Sequence, residues 1–322
     1  MKQRNATIDY LRGLAAIMVC ICHYRHTLPE TLSVIAKHGE IGVQIFFVIS
    51  GYIIPYSMDK GGYKIVDFGR FWLKRLLRLQ PTFVVALLFT FVLSHASSLF
   101  KGGVSNFSFS ELIASSVYLQ VPSENPVIWT LIVELKYYLA ISLLFPLIFS
   151  RSPTTRRLSF GGCLLAAFAL APHVEPLKHT PYFLLGFAAC YIRTGRATWK
   201  ESAAWSALVI AAAFSQSSTL QIAAGLLTAL SILYLPAMDW KVGTFFGAIS
   251  YSLYLVHFPL GVKIVNLTLP RFPGPAHWVL LPATILVCTS VAYVLFRLVE
   301  KPSAKWSQQI KLSKARPEST RA

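Results

Sequence analysis

Carboxylates are scarce in this chain: 13 of its 322 residues are Asp or Glu, against 30 Lys and Arg. A charged content of 13% is too low for a soluble globular protein of this length. Cysteine is rarer still. Cys20, Cys22, Cys163, Cys190 and Cys288 all fall in apolar runs without metal-ligand spacing, which points to inert buried thiols. Only His23 and His26, among eight histidines, stand at helical ligand spacing, and partner carboxylates are few, so no metal site is expected. No soluble domain and no internal repeat is legible. "MKQR" would serve as the basic start of a leader, but no small-x-small cleavage site follows it. The first apolar run therefore reads as a retained signal-anchor helix.

What the chain has in abundance is apolar length. Hydrophobic residues make up 55% of it and gather in runs near 8–26, 41–57, 80–97, 127–149, 158–172, 181–194, 203–216, 219–236, 243–262 and 278–299. Most of these match the roughly 20 residues needed to cross a bilayer as helix. The expected fold is all-α, a polytopic integral membrane protein with about ten transmembrane helices over residues 1–302, followed by a basic cytoplasmic tail, 303–322, expected to be disordered. The net charge of +17 suggests nucleic acid until its distribution is examined. With a cytoplasmic N-terminus and ten crossings, 23 of the 30 cations fall on inner segments, six on outer ones, and Lys136 within a span. That bias is an orientation signal for both termini inside, with membrane lipids and not nucleic acid as the partner.

Two connections are long. Residues 58–79 carry "FGRFWLKRLLRLQP", whose mixed Arg, Lys, Phe, Trp and Leu suit a helix lying at the interface and leading into the third span. Residues 98–126 form an outer loop rich in Ser, Asn and Gly, within which 111–121 suits a short packed helix.

Ionisable groups inside spans cost a few kcal/mol on insertion scales, about 2.5–3.5 at a helix centre, and so mark candidate sites. Arg12 and His23 in "RGLAAIMVCICH" are eleven residues apart, which is about three turns and roughly 16 Å on one helix face. Ala15, Ala16 and Val19 lie between them, and such a small-residue stripe suits a narrow slot. A structural alternative pairs Arg12 with Asp9 one turn earlier. By depth, His23, Glu134 of "WTLIVELKYYL" and His257 of "SYSLYLVHFPL" fall at one level in the outer half of the membrane. Ser250 and Tyr254 share the face of His257. A carboxylate beside an imidazole orients and polarises a general base; the bland alternative pairs Glu134 with Lys136. Arg70, Lys74, Arg75 and Arg78 suit either lipid anchoring or a phosphate clamp. Ser50-Gly51 permits close helix contact or lines a pathway. Glu300 and Lys301 with Pro302 read as a structural stop.

In this order, "IDYLRGLAAIMVCICH", "FFVISGYII", "FWLKRLLRLQP", "WTLIVELKYYL", "SYSLYLVHFPL" and "FRLVEKPS" resemble the membrane acyltransferase 3 family, from about residue 7 to 303. The stand-alone form is similar to exopolysaccharide O-acetyltransferases. The resemblance implies a bacterial inner-membrane enzyme. It implies transfer of an acyl group, acetyl by expectation, from cytoplasmic acyl-CoA to a hydroxyl of a saccharide or lipid-linked glycan. The family's Arg–ten residues–His element falls on Arg12 and His23, and its Trp–Glu–Tyr element on Trp129, Glu134 and Tyr138. Ile132 and Lys136 depart from the pattern and leave the acceptor open. On this reading His23 is the base and Glu134 holds its imidazole. Arg12 with Asp9, Arg75, Arg78, Ser50, Trp129, Tyr138, Tyr254 and His257 bind substrates, and the pantetheine arm threads the stripe from Arg12 to His23. The rival reading is a proton-coupled transporter or lipid-linked glycan flippase, which needs no acyl-CoA.

Overall fold

The computed structural model of the chain describes residues 6–100, 102–171, 173–236, 240–272 and 277–312. The basic start, 1–5, and the end of the expected tail, 313–322, lie outside the described residues. Among the described residues there is no strand. The helices are α1 Ala6–His23, α2 Glu30–Lys37, α3 Gly42–Lys60, α4 Phe68–Phe100, α5 Phe109–Ser116, α6 Trp129–Ile148 and α7 Pro153–Leu170, then α8 Thr180–Arg193, α9 Trp199–Ala213, α10 Thr219–Tyr234, α11 Lys241–Val256, α12 Lys263–Thr268, α13 His277–Leu295 and α14 Lys301–Gln309.

All ten apolar runs are helical. Six are long and apolar enough to cross a membrane: the segments built on α1, α3, α4, α6, α11–α12 and α13–α14. The other four, α7 to α10, are shorter or less apolar, so among the described residues six helical segments qualify as spans where about ten were expected. Exposed Leu88 and Val92 on α4 and Val279 and Leu286 on α13 form the apolar outer surface that lipid requires.

Two expectations about the connections change. The cationic stretch is not a separate interfacial helix: α4 runs unbroken for 33 residues, about 50 Å, with Pro81 inside it. The connection before it is short, turning at Gly62 (φ +65°) and ending on buried Asp67, which accepts from the Lys64 backbone and from Arg70. The segment expected as a disordered tail begins with α14. Ser303 and Ser307, four residues apart, are buried on one face, and Ser307 Oγ donates to the Lys74 carbonyl at 2.8 Å. Small hydroxyls on one face allow close packing without an apolar stripe, which is why the sequence pattern did not reveal the helix.

The chain forms two compact units, each discontinuous in sequence. The first comprises residues 1–46, 79–133 and 234–303, the second 47–78, 134–233 and 304–322. In the first, α1 packs along α11 through glycine. A Cβ placed on Gly13 would lie 2.9 Å from the Gly247 nitrogen, and one on Gly247 would lie 2.1 Å from the Asp9 carbonyl oxygen. In the second, α3 and α8 touch backbone to backbone at Gly51 and Gly186. Gly51 of the Ser50-Gly51 pair thus serves close contact, as small residues do between membrane helices.

Candidate active site

The Gly13–Gly247 contact sets the register of the first unit. His23 lies ten residues beyond Gly13, and His257 ten residues beyond Gly247. At about 1.5 Å per residue both stand roughly 15 Å from the contact on parallel helices. They meet: His23 Nδ1 and His257 Nε2 are 3.2 Å apart, with ring centroids 5.2 Å apart. His23 Nδ1 also lies 3.0 Å from the Val19 carbonyl, and the Phe258 ring stands edge-on to the imidazole at 5.0 Å. His23 is half-buried; His257 is fully buried.

His257 opens a π-helical segment, His257–Val262. The local cause is Pro259. It has no N–H for the Leu255 carbonyl, and its ring crowds that oxygen, so the helix widens. In an apolar surrounding the freed Leu255 carbonyl needs a donor. Asn125 Nδ2 donates to Leu255 O at 3.0 Å, and Tyr24 Oη donates to His257 O at 2.7 Å. Gly261 lets Tyr24 approach, since a Cβ there would meet the phenol oxygen at 2.1 Å. His257 Nδ1 lies 2.7 Å from the Tyr254 carbonyl. Tyr254 itself is buried, with Oη donating to Val127 O at 3.1 Å and accepting from Thr130 Oγ1 at 2.9 Å.

The hydrogen bonds of His257 and Tyr254, both expected to contact substrate, are internal in the structure, and both side chains are buried. The expected slot also closes. Ala15, Ala16 and Val19 are at most 1% exposed, and Gly42 packs directly on the Ala15 carbonyl and Val19. The small residues serve helix contact here. At its start Asp9 is buried and Arg12 half-buried. Trp129, at the first residue of α6, is half-buried in the same unit.

Glu134 belongs to the second unit. Its Oε1 accepts from Ser50 Oγ at 2.5 Å and from Tyr138 Oη at 2.6 Å, one turn along α6. Lys136 is exposed and is not its partner, as i,i+2 geometry dictates. The Arg75 guanidinium lies over the rings of Phe71 and Tyr138, at 5.3 and 5.5 Å. Its Nε is buried and has no hydrogen-bond partner among the described residues, whereas Arg78 is exposed. Ser50, Glu134, Tyr138 and Arg75 thus form one polar cluster. Tyr24, Asn125 and Pro259 were missed in the sequence. Only the Pro two residues after His257 in "VHFPL" carried a signal. No group of three His, Cys, Asp or Glu that could hold a metal occurs among the described residues.

A half-buried imidazole with one nitrogen engaged, set among apolar spanning helices, is chemistry suited to transfer onto a hydroxyl. The acyltransferase domain of the acyltransferase 3 family matches residues 5–297, and the chain belongs to that family. It is an integral membrane protein of that acyltransferase family. The chain is similar to a putative peptidoglycan O-acetyltransferase, YrhL, of Bacillus subtilis, with 25% identity over 92% of this chain and 54% of the relative. It is similar to the peptidoglycan O-acetyltransferase OatA of Listeria monocytogenes, with 29% identity over 41% of this chain and 23% of that protein. To the O-acetyltransferase OatA of Staphylococcus aureus it is 37% identical over 27% of this chain and 14% of the other. The chain thus spans about half of the first relative's length and less of the others. No solved structure matches it.

Proposed function

We propose that the protein transfers an acetyl group from acetyl-CoA, supplied on the cytoplasmic side, to a saccharide hydroxyl, with His23 as general base. The observation that carries this reading is the engagement of His23 Nδ1 by the Val19 carbonyl and by His257. A carbonyl only accepts, so Nδ1 carries the proton and the neutral ring holds its lone pair at Nε2. Nε2 takes the proton of the acceptor hydroxyl as its oxygen attacks the thioester carbonyl. The C–S bond then breaks, and the imidazolium returns the proton to the departing thiolate. The Ser50–Glu134–Tyr138 cluster binds and orients a polar substrate group. Arg75 supplies a guanidinium for an anionic one. Relatives named for peptidoglycan make a cell-envelope glycan the first acceptor to try. The test is a vesicle assay with purified protein, acetyl-CoA and glycan, read by mass spectrometry. Acetylated glycan and free CoA should appear in equal amounts. Movement of glycan across the bilayer without CoA release would overturn the reading.

Donor binding gives a sharper expectation. An Arg75→Gln, Arg78→Gln double variant should bind CoA at least about 100-fold more weakly, since charge-assisted hydrogen bonds contribute about 1.5–3 kcal/mol each. A pantetheine thioester lacking the nucleotide should lose much less. Calorimetry with both ligands decides it, and equal losses would return the arginines to lipid anchoring.

Orientation is tested by single-cysteine labelling with a membrane-impermeant maleimide. Cysteine at Val104 or Ser217 should label from outside intact cells above the wild-type background, and cysteine at Val66 or Lys311 should label only after lysis. The inverse pattern would place both termini outside.

A further inference from the structure

A buried imidazole can act on its neighbour only through the nitrogen it leaves without a proton. His257 Nδ1 faces the Tyr254 carbonyl at 2.7 Å, so that nitrogen is the donor and Nε2 keeps the lone pair. The lone pair points at His23 Nδ1, 3.2 Å away. We propose that His257 is a positioning residue for acyl transfer: its Nε2 shares the His23 Nδ1 proton with the Val19 carbonyl, helps fix the His23 tautomer with Nε2 bare, and shares the charge that His23 gains in the reaction.

The pieces around His257 hold this arrangement in place. Ring orientation follows from the Tyr254 carbonyl. Backbone orientation follows from the π-helical turn that Pro259 imposes, with Asn125 donating to the released Leu255 carbonyl and Tyr24 to the His257 carbonyl. Tyr24 is wholly buried and spends its hydroxyl on the His257 carbonyl, although it is the residue immediately after His23. The consecutive residues His23 and Tyr24 thus hold His257 by its ring and by its carbonyl. A neutral imidazole here does what a carboxylate does in other base–orienter pairs, without placing a negative charge in an apolar unit, where an unpaired charge is far more costly than a neutral acceptor. The proposal rests on His23 being the base.

The first test reads the wild-type protein. In protein selectively 15N-labelled at histidine, with His23 signals assigned by their loss in a His23→Gln variant, the His23 ring should show a protonated Nδ1 and a bare Nε2. A protonated Nε2 in the wild type overturns the proposal. Two substitutions extend it. His257→Leu removes the acceptor and should lower kcat by tens-fold, approaching the roughly 100-fold worth of a general base, with KM for acetyl-CoA little changed and the His23 tautomers mixed. His257→Gln places an acceptor oxygen near the Nε2 position and should recover at least tenfold in kcat over the Leu variant. Equal kcat in the two variants at equal accumulation, or a His257→Leu protein with unchanged kcat and tautomer, overturns the role of His257 and leaves His23 as base intact. Failure of that underlying reading looks different: a His23→Ala protein stays active.

Discussion

A His23→Ala protein is expected to insert, bind acetyl-CoA and transfer nothing measurable. Removing a general base costs 100-fold or more in rate, about 3 kcal/mol of transition-state stabilisation. Stability should change less. His23 is half-buried, and its loss leaves the His257 Nε2 lone pair and the Val19 carbonyl short of one donor, a penalty of about 1–3 kcal/mol. Turnover is therefore to be counted per inserted molecule, with His23→Gln beside it to keep a donor near the Nδ1 position. Retention of a third of normal turnover by either variant would rule out His23 as the base. Were activity to fall only in step with the amount of inserted protein, His23 would be a packing residue.

The second large effect is expected at Gly247. A Cβ there would sit 2.1 Å from the Asp9 carbonyl oxygen, a backbone atom that moves only if α1 moves. Gly247→Ala should cost about 1–3 kcal/mol as overpacking does, and Gly247→Leu more. Both should reduce activity further than stability alone accounts for, because the same contact sets the height at which His23 meets His257. Gly243, one turn earlier, is the control. A Cβ there would meet only the rings of Trp240 and Tyr10, and Trp240 is exposed and able to swing away. Thermal unfolding in detergent and turnover of the two alanine variants decide the matter. Equal effects at 243 and 247 would show that backbone contact at Gly247 is not what sets the register.

The meeting of His23 and His257 was legible in the sequence because depth along a helix is a matter of counting residues. What stayed hidden was the direction of the rings, which depends on main-chain acceptors, Val19 O and Tyr254 O, that any sequence would supply. The partners of Glu134 were half legible. Tyr138 follows from i,i+4 spacing, whereas Ser50 comes from another helix and stood out only as a neighbour of glycine. The Ala15–Ala16–Val19 stripe was misread because small residues look the same whether they line a channel or admit another backbone, and only Gly42 and Gly247 tell the two apart. In α4 the break expected before the third span is missing, since Pro81 sits within the helix without ending it.

The first unit brings together α1 and α11, helices far apart along the chain, and this has a consequence in time. His23 and its partner are 234 residues apart, so at ribosomal rates of about 5–20 residues per second α1 exists for roughly 10–50 s before α11 has been made. During that interval a helix carrying Arg12 and His23 has neither the glycine seam nor the buried imidazole that later accommodates it. Its residence in the bilayer must be sustained by the insertion machinery or by the helices that follow at once. Synthesis halted before residue 241 would leave α1 without its main packing partner, a species that quality-control proteases can recognise.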